Sequence, residues 1–356
     1  MTVSATATKP IWEEVLRLGD YDSREDLEAE IDMWDSTTAG WYGWCPRNAQ
    51  LSHLVGVDAI SEGMPRIAGR AIHGGTDVLY TSEDEDLAVQ AVGDVFGSER
   101  DPLPPSHSYS HIHAGFVENI FKNYLSWRAK HDTFKPLVVH YDEIDMTDVV
   151  AAVWRVLPDE RVILGECKLV MRFDVAGEEF IYAGKPDLPI TWGGNILIMD
   201  TKVSCSMNLG DWYFKKHVIS NQLRGYCRMI ERLLQRRVSG ALINGVYAGE
   251  DALRTRTKKG ALSKVTKFLR YGPLLFRPAH LDEAMWNQFA WRKIAFMYQK
   301  LAKDYPDMHK AFGYAQNTGI SCRGCQYLEV CQATPKARSG VVRRKFVQKR
   351  VKFLDL

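Results

Sequence analysis

A chain of 356 residues that is 46% hydrophobic and 25% charged can bury a sizeable core and has the composition of a folded, water-soluble protein. Its net charge of +2 excludes a global field advertising a polyanionic partner, and no apolar run approaches the ~18 residues that a membrane-spanning helix needs. The opening MTVSATATKPIWEEVLRLGD lacks the charged-then-apolar layout of a secretion signal, and seven cysteines, an odd number, argue against a disulfide framework. A cytoplasmic location is therefore expected.

Residues 10–33 are predicted helical, with SREDLEAEIDMW opening on a Ser23 cap and an acidic first turn. GRAIHGG places His73 at the start of a further predicted helix, and DLAVQAVGDVF and HAGFVENIFKNYLSWRAKH show helical spacing of apolar residues. DVVAAVWRVL reads either way, being rich in valine yet long enough for a helix. CKLVMRFDV and FIYAGKPDLPI read as two strands joined by a glycine-containing turn, and NILIMDTKV as a third, more buried strand. A helix, SNQLRGYCRMIERLLQRR, precedes a strand, GALINGVYA, before helices resume with LDEAMWNQFAWRKIAFMYQKLAKDY. The expected fold class is α/β, a central mixed sheet flanked by helices with helical additions from both ends of the chain. No internal repeat or clean domain boundary interrupts it.

Asp200 and Lys202 in NILIMDTKV have the same strand parity, so both side chains point to one face. Asp187, in GKPDL, precedes Asp200 with twelve residues between them. His73 joins them from GRAIHGG and Glu166 from ILGECKLV, where the first central strand is expected to begin. Gln222 and Tyr226, i and i+4 in NQLRGY, share one helical face. Each has a bland explanation singly; together they suit phosphodiester hydrolysis, which needs an activated water and relief of charge on phosphate. Hard divalent cations held by carboxylates supply both. Asp187 and Asp200 are the expected Mg2+ or Mn2+ ligands, with His73 and the Thr201 backbone carbonyl completing the set. Lys202 would orient the water or neutralise charge, and Gln222 and Tyr226 would fix Lys202 or a phosphate. Glu166 completes the catalytic set.

GKPDL, then MDTK, then QLRGY resembles the PD-(D/E)xK nuclease superfamily, and more closely its RecB-like branch. That branch adds an upstream G-x-x-x-H, here Gly69 to His73, and a downstream Q-x-x-x-Y, here Gln222 to Tyr226. The resemblance runs from about Thr37 to Cys331 and implies a restriction-endonuclease-like core at about 73–250. Position 200 is Asp where many members carry Glu, and both are metal-binding carboxylates. His111 and His113 compete with His73 but lack the G-x-x-x-H frame.

SCRGCQYLEVCQ sets Cys322, Cys325 and Cys331 in a C-x2-C-x5-C run, and Cys45 lies far upstream in WYGWCPRNAQ. Four thiols suffice for a zinc ion or an iron–sulfur cluster. The sequence also resembles the RecB-like subgroup with AddB-type nuclease domains and CRISPR-associated RecB-like exonucleases. That resemblance implies a [4Fe–4S] cluster on Cys45, Cys322, Cys325 and Cys331, tying the two ends of the chain together. Cys167, Cys205 and Cys227 have no partner spacing and are expected to be buried or half-buried thiols.

The expected organisation is one nuclease domain over 1–332 followed by a basic tail over 333–356. From Ala252 to Leu281 there is no acidic residue, and Arg254, Arg256, Lys258, Lys259, Lys264, Lys267 and Arg270 could follow a DNA backbone. The resemblance implies a metal-dependent DNA exonuclease acting on single-stranded DNA or duplex ends, in recombination, repair or phage DNA processing. The alternative is an endonuclease or trimming nuclease working with partner proteins. A non-catalytic scaffold has no need of the full set of site residues. No G-x-x-x-x-G-K-[ST] loop is present, so any helicase or recombination partner is encoded elsewhere.

Overall fold

The structure is a computed structural model that describes residues 11–16, 45, 47, 51, 57–59, 63–96, 109–205, 209–215, 217–255, 265–306 and 325–348. Among the described residues the first elements are β1 (Ile11–Leu16) and β2 (Val57–Ala59), then helices α1 (Met64–Ser82), α2 (Glu85–Asp94) and α3 (Ala114–His131). Seven strands follow: β3 (Lys135–Pro136), β4 (Val138–His140), β5 (Val149–Val156), β6 (Arg161–Val175), β7 (Glu178–Gly184), β8 (Leu188–Trp192) and β9 (Asn195–Ser204). Short α4 (Asp211–Lys215) and long α5 (Asn221–Leu234) lead to β10 (Val238–Tyr247) and β11 (Phe268–Leu275). Helices α6 (Pro278–Asp304), α7 (Leu328–Gln332) and α8 (Pro335–Lys345) and strand β12 (Phe346–Gln348) complete the described chain.

The central mixed sheet has the order β11-β10-β9-β8-β3. Only β9 and β10 run parallel in it. A parallel pair needs a crossover, and α5 supplies it, which lays that helix across the sheet. Ser220 caps α5 by accepting from the Leu223 N–H, and its apolar face buries Leu223, Met229, Ile230 and Leu233. The second sheet joins β1, β5, β6 and β4 antiparallel, with β7 paired to the far half of β6. β5 is buried along nearly its whole length, which explains its apolar run from Val149 to Trp154, and the buried Arg155 that follows pairs with Asp77. The mixed α/β architecture with helices flanking a central mixed sheet is thus as expected.

Several local expectations change. Residues 11–16 form strand β1 rather than helix, because pairing with β5 from Ile11↔Val156 to Leu16↔Ala151 overrides their helical composition. The rest of the 10–33 segment, with Ser23, lies outside the described residues. FIYAGKPDLPI is two strands, β7 and β8, which belong to different sheets, so the KPD turn carries the chain from one sheet to the other. Residues 335–348 of the presumed tail form α8 and β12, and β12 pairs with β2. Among the described residues no helix is long and apolar enough to cross a membrane.

Candidate active site

The site forms where the two sheets meet. β6 bulges against β5 between Ile163 and Lys168, and at the bulge Glu166 adopts a left-handed φ of 55°. Such a backbone is strained for a residue with a Cβ, and it persists because its surroundings hold it. The Glu166 N–H donates to the carbonyls of Pro186 at 3.1 Å and Asp187 at 2.8 Å, which ties the bulge to the KPD turn. Glu166 therefore sits inside β6, not at its start. His73 likewise lies in the middle of α1, not at its N-terminus.

His73 Nδ1 is 3.3 Å from Asp187 Oδ2 and 3.9 Å from Glu166 Oε1. The Thr201 N–H donates to Asp187 Oδ2 at 2.7 Å, so β9 holds the Asp187 carboxylate directly. β8 pairs with β9 only as far as Leu188↔Met199, leaving the Asp187 carboxylate to continue the contact along that edge. A strand residue turns its N–H and C=O to the same edge, so the Thr201 carbonyl also faces this side. Lys202 Nζ donates to Asp200 Oδ1 at 2.9 Å and lies 2.7 Å from Oδ2. Asp200 is 1% exposed, and both of its carboxylate oxygens lie against the Lys202 ammonium.

Burial and the charges of Asp200 and Glu166 push Asp187 up to about 7, against the opposing pull of His73 and Lys202. Burial disfavours a charged His73, but Asp187 and then Glu166 outweigh it and raise the imidazole to about 9. Burial would also raise Glu166, but His73 and Lys185 hold its carboxyl below the usual value. Burial works against the Lys202 ammonium too, and Asp200 and Asp187 overcome it, so Lys202 stays cationic. Three raised groups, Asp187, His73 and Lys202, and one lowered group, Glu166, in one cluster make it a candidate functional site.

His73, Glu166 and Asp187 each offer a ligand atom within 4.8 Å of the others, the one such group among the described residues. One imidazole and two carboxylates suit a hard divalent ion such as Mn2+ or Mg2+. The residues present therefore fit the metal. Glu166, expected in a catalytic role, stands among the metal-competent donors, while Asp200 stands beside them, paired with Lys202.

Two glycines let α5 approach. A Cβ on Gly184 would lie 2.7 Å from Met229 Sδ and 2.9 Å from Tyr226 Cε1, and one on Gly225 would lie 2.5 Å from Tyr182 Oη. With both absent, α5 settles on β7 and brings buried Tyr226 within electrostatic reach of Lys202. Gln222 Nε2 donates to Tyr226 Oη at 3.1 Å, joining the two as the i, i+4 spacing implies.

Lys185 is the residue that sequence reasoning passed over. It forms an ion pair with Glu166 Oε2 while remaining half exposed. Its place beside Asp187 in GKPDL was the available signal. Of the basic residues expected on DNA, Arg270 turns inward and pairs with Asp132 at 2.6 Å, so it is not a surface contact. Arg254 pairs with Glu250, Lys267 is half-buried, and Arg256, Lys258, Lys259 and Lys264 lie outside the described residues. Cys167 and Cys227 are buried and Cys205 half-buried, as expected. Cys45, Cys325 and Cys331 are half-buried and do not gather into a three-ligand group among the described residues, and Cys322 lies outside them.

Acids and an imidazole that fit a divalent ion, beside a lysine on a helix-flanked mixed sheet, are the equipment of a metal-dependent nuclease. The family model for the PD-(D/E)XK nuclease superfamily matches residues 38–332, most of the chain, and the chain belongs to that superfamily. A solved structure described as "Crystal structure of SSO0001" is similar over 84% of this chain and 96% of its own, at 12% identity and a TM-score of 0.27. No curated protein matches.

Proposed function

We propose that this chain is a Mg2+- or Mn2+-dependent DNA exonuclease of the RecB-like branch, acting on single-stranded or end-bearing DNA. The carrying observation is the convergence of His73, Glu166 and Asp187 beside the Asp200–Lys202 pair. His73, Glu166, Asp187, Asp200 and the Thr201 carbonyl would hold the ion. When bound, the ion supplies Lewis acidity to a phosphodiester oxygen and lowers the pKa of water. Lys202, kept cationic by its acidic neighbours, orients the attacking water and offsets charge building on the phosphate. Gln222 donates to Tyr226, and the pair would steady Lys202 or a phosphate from the helix side. Exonuclease action rests on the resemblance of the His73 and Gln222–Tyr226 motifs.

The proposal includes one nuclease domain, a cytoplasmic location and a helicase or recombination partner. It also includes a [4Fe–4S] cluster on Cys45, Cys322, Cys325 and Cys331. The meeting of the two chain ends supports the cluster. Leu51 packs in one small core with Tyr327, Val330, Val342 and Phe346, and Arg338 feels the charges of both Arg47 and Cys331.

The test is cleavage of end-labelled linear and of circular DNA, single- and double-stranded, with Mg2+ or Mn2+, beside the Asp200→Ala protein. Metal-dependent loss of linear DNA only, absent from the variant, is the expected result. Cutting of circles moves the protein to the endonuclease reading, and undiminished activity of Asp200→Ala overturns the site.

A further inference from the structure

Behind the Asp200–Lys202 face, the central sheet carries a layer of buried polar groups. Arg270 on β11 donates through Nη1 to Asn244 Oδ1 and through Nη2 to Asp132 Oδ1 at 2.6 Å. The same nitrogen reaches Tyr124 Oη at 3.0 Å and Tyr80 Oη at 3.2 Å. Tyr80 Oη donates to Asp132 Oδ2 at 2.7 Å, so across the 3.0 Å contact between the two phenols Tyr124 is the donor. The rings of Tyr124, Trp127 and Phe134 surround the guanidinium.

This layer ends on the catalytic strand. Because Asn244 Oδ1 faces a guanidinium, which only donates, its amide nitrogen must point the other way. Nδ2 then donates to Tyr124 Oη and to Thr201 Oγ1, each at 3.1 Å. Asn244 is 0% exposed and Thr201 2%, and the two are register partners on β10 and β9. Thr201 lies between Asp200 and Lys202, and its N–H holds Asp187. On the site edge of β9 the β8 ladder has already ended at Met199, so the strand is fastened there mainly by groups that would bind the metal.

We propose that Asn244 is a positioning residue for the metal site, acting through the Thr201 hydroxyl and oriented by Arg270. The role rests on the nuclease reading above. An apolar layer would fill this space without burying the Arg270–Asp132 charge pair, whose desolvation a sheet core does not need. What the polar layer adds is a directed hydrogen bond that fixes the Thr201 peptide, and with it the Asp187 carboxylate and the Thr201 carbonyl. Groups that orient metal ligands from behind typically change metal affinity about 10- to 100-fold when removed.

The test is Mn2+ binding by calorimetry to the full-length wild-type protein and to Thr201→Val, Thr201→Ser, Asn244→Ala and the Thr201→Val/Asn244→Ala double variant. Thr201→Val keeps the side-chain shape and loses the accepting oxygen; Thr201→Ser does the reverse. Thr201→Val and Asn244→Ala are expected to bind Mn2+ about tenfold more weakly. Thr201→Ser should match wild type, and the double variant should be no weaker than either single one. Wild-type affinity in Thr201→Val, or an equal loss in Thr201→Ser, overturns the positioning role while leaving the nuclease site in place. A wild-type protein that binds no Mn2+ overturns the metal site itself, and this role with it.

Discussion

His73 Nδ1 stands 3.3 Å from Asp187 Oδ2, so an imidazolium and a carboxylate share the space that a divalent ion would take. The folded pKa of His73, about 9, exceeds its ordinary 6.5, so its pairing stabilises the metal-free fold fully below pH 6.5 and is lost as pH rises through 9. Asp187 is raised from 3.8 to about 7, so its ionisation costs stability that grows above pH 3.8 and is complete above 7. Both act in one direction. Thermal melts of metal-free protein should show stability declining from pH 6 toward 9, Mn2+ should reverse the decline, and binding near pH 7 should release protons. A flat pH profile without metal would contradict the pairing.

Lys202 is held cationic beside the buried Asp200 carboxylate. Replacing it by methionine keeps the stem and removes the charge. Turnover is expected to fall about 100- to 1,000-fold, the usual effect of removing a group that stabilises charge in a transition state. The KM for DNA should change little. Equal losses in kcat and in DNA affinity would reassign Lys202 to binding.

Lys185 pairs with Glu166, so it would compete with a metal for that carboxylate. A half-exposed ion pair is worth at most ~1 kcal/mol, so Lys185→Met should tighten Mn2+ binding by up to about fivefold. Calorimetric titration of the two proteins decides it, and weaker binding in the variant would make Lys185 a supporting group instead.

A methyl group at Gly225 would meet Tyr182 Oη at 2.5 Å. Gly225→Ala is expected to cost about 1–3 kcal/mol in urea unfolding as α5 lifts from β7. Nuclease activity should fall with it, since Tyr226 rides on the same helix. Unchanged unfolding would show that Tyr182 yields freely.

The proposed cluster predicts visible absorbance in anaerobically purified protein. Cys325→Ser should bleach that absorbance and lower the melting temperature. A colourless wild-type protein with an unchanged variant would remove the cluster from the proposal.

Features set by local spacing were legible in the sequence. The shared face of Asp200 and Lys202 follows from the two-residue period of a strand, and the Gln222–Tyr226 bond from the helical turn. Asp187, Asp200 and Lys202 could be nominated from chemistry because few other arrangements need two acids and a lysine so placed. What the chain writes only through pairing of distant segments was not legible. IWEEVL becomes a strand because β5 offers it an edge, and the Glu166 bulge arises from unequal lengths of two paired strands. Arg270 and Lys267 sit in one basic stretch of sequence, yet strand register turns Arg270 inward onto Asp132, Tyr124 and Asn244. The sequence by itself thus determined which residues are chemically able to hold a metal and activate water. The tertiary structure decided which of them meet: Glu166 joins His73 and Asp187, while Asp200 is engaged by Lys202 and Asn244 backs Thr201. The reason is physical, since distances between side chains on separate strands are set by sheet register and helix packing, which no local periodicity encodes.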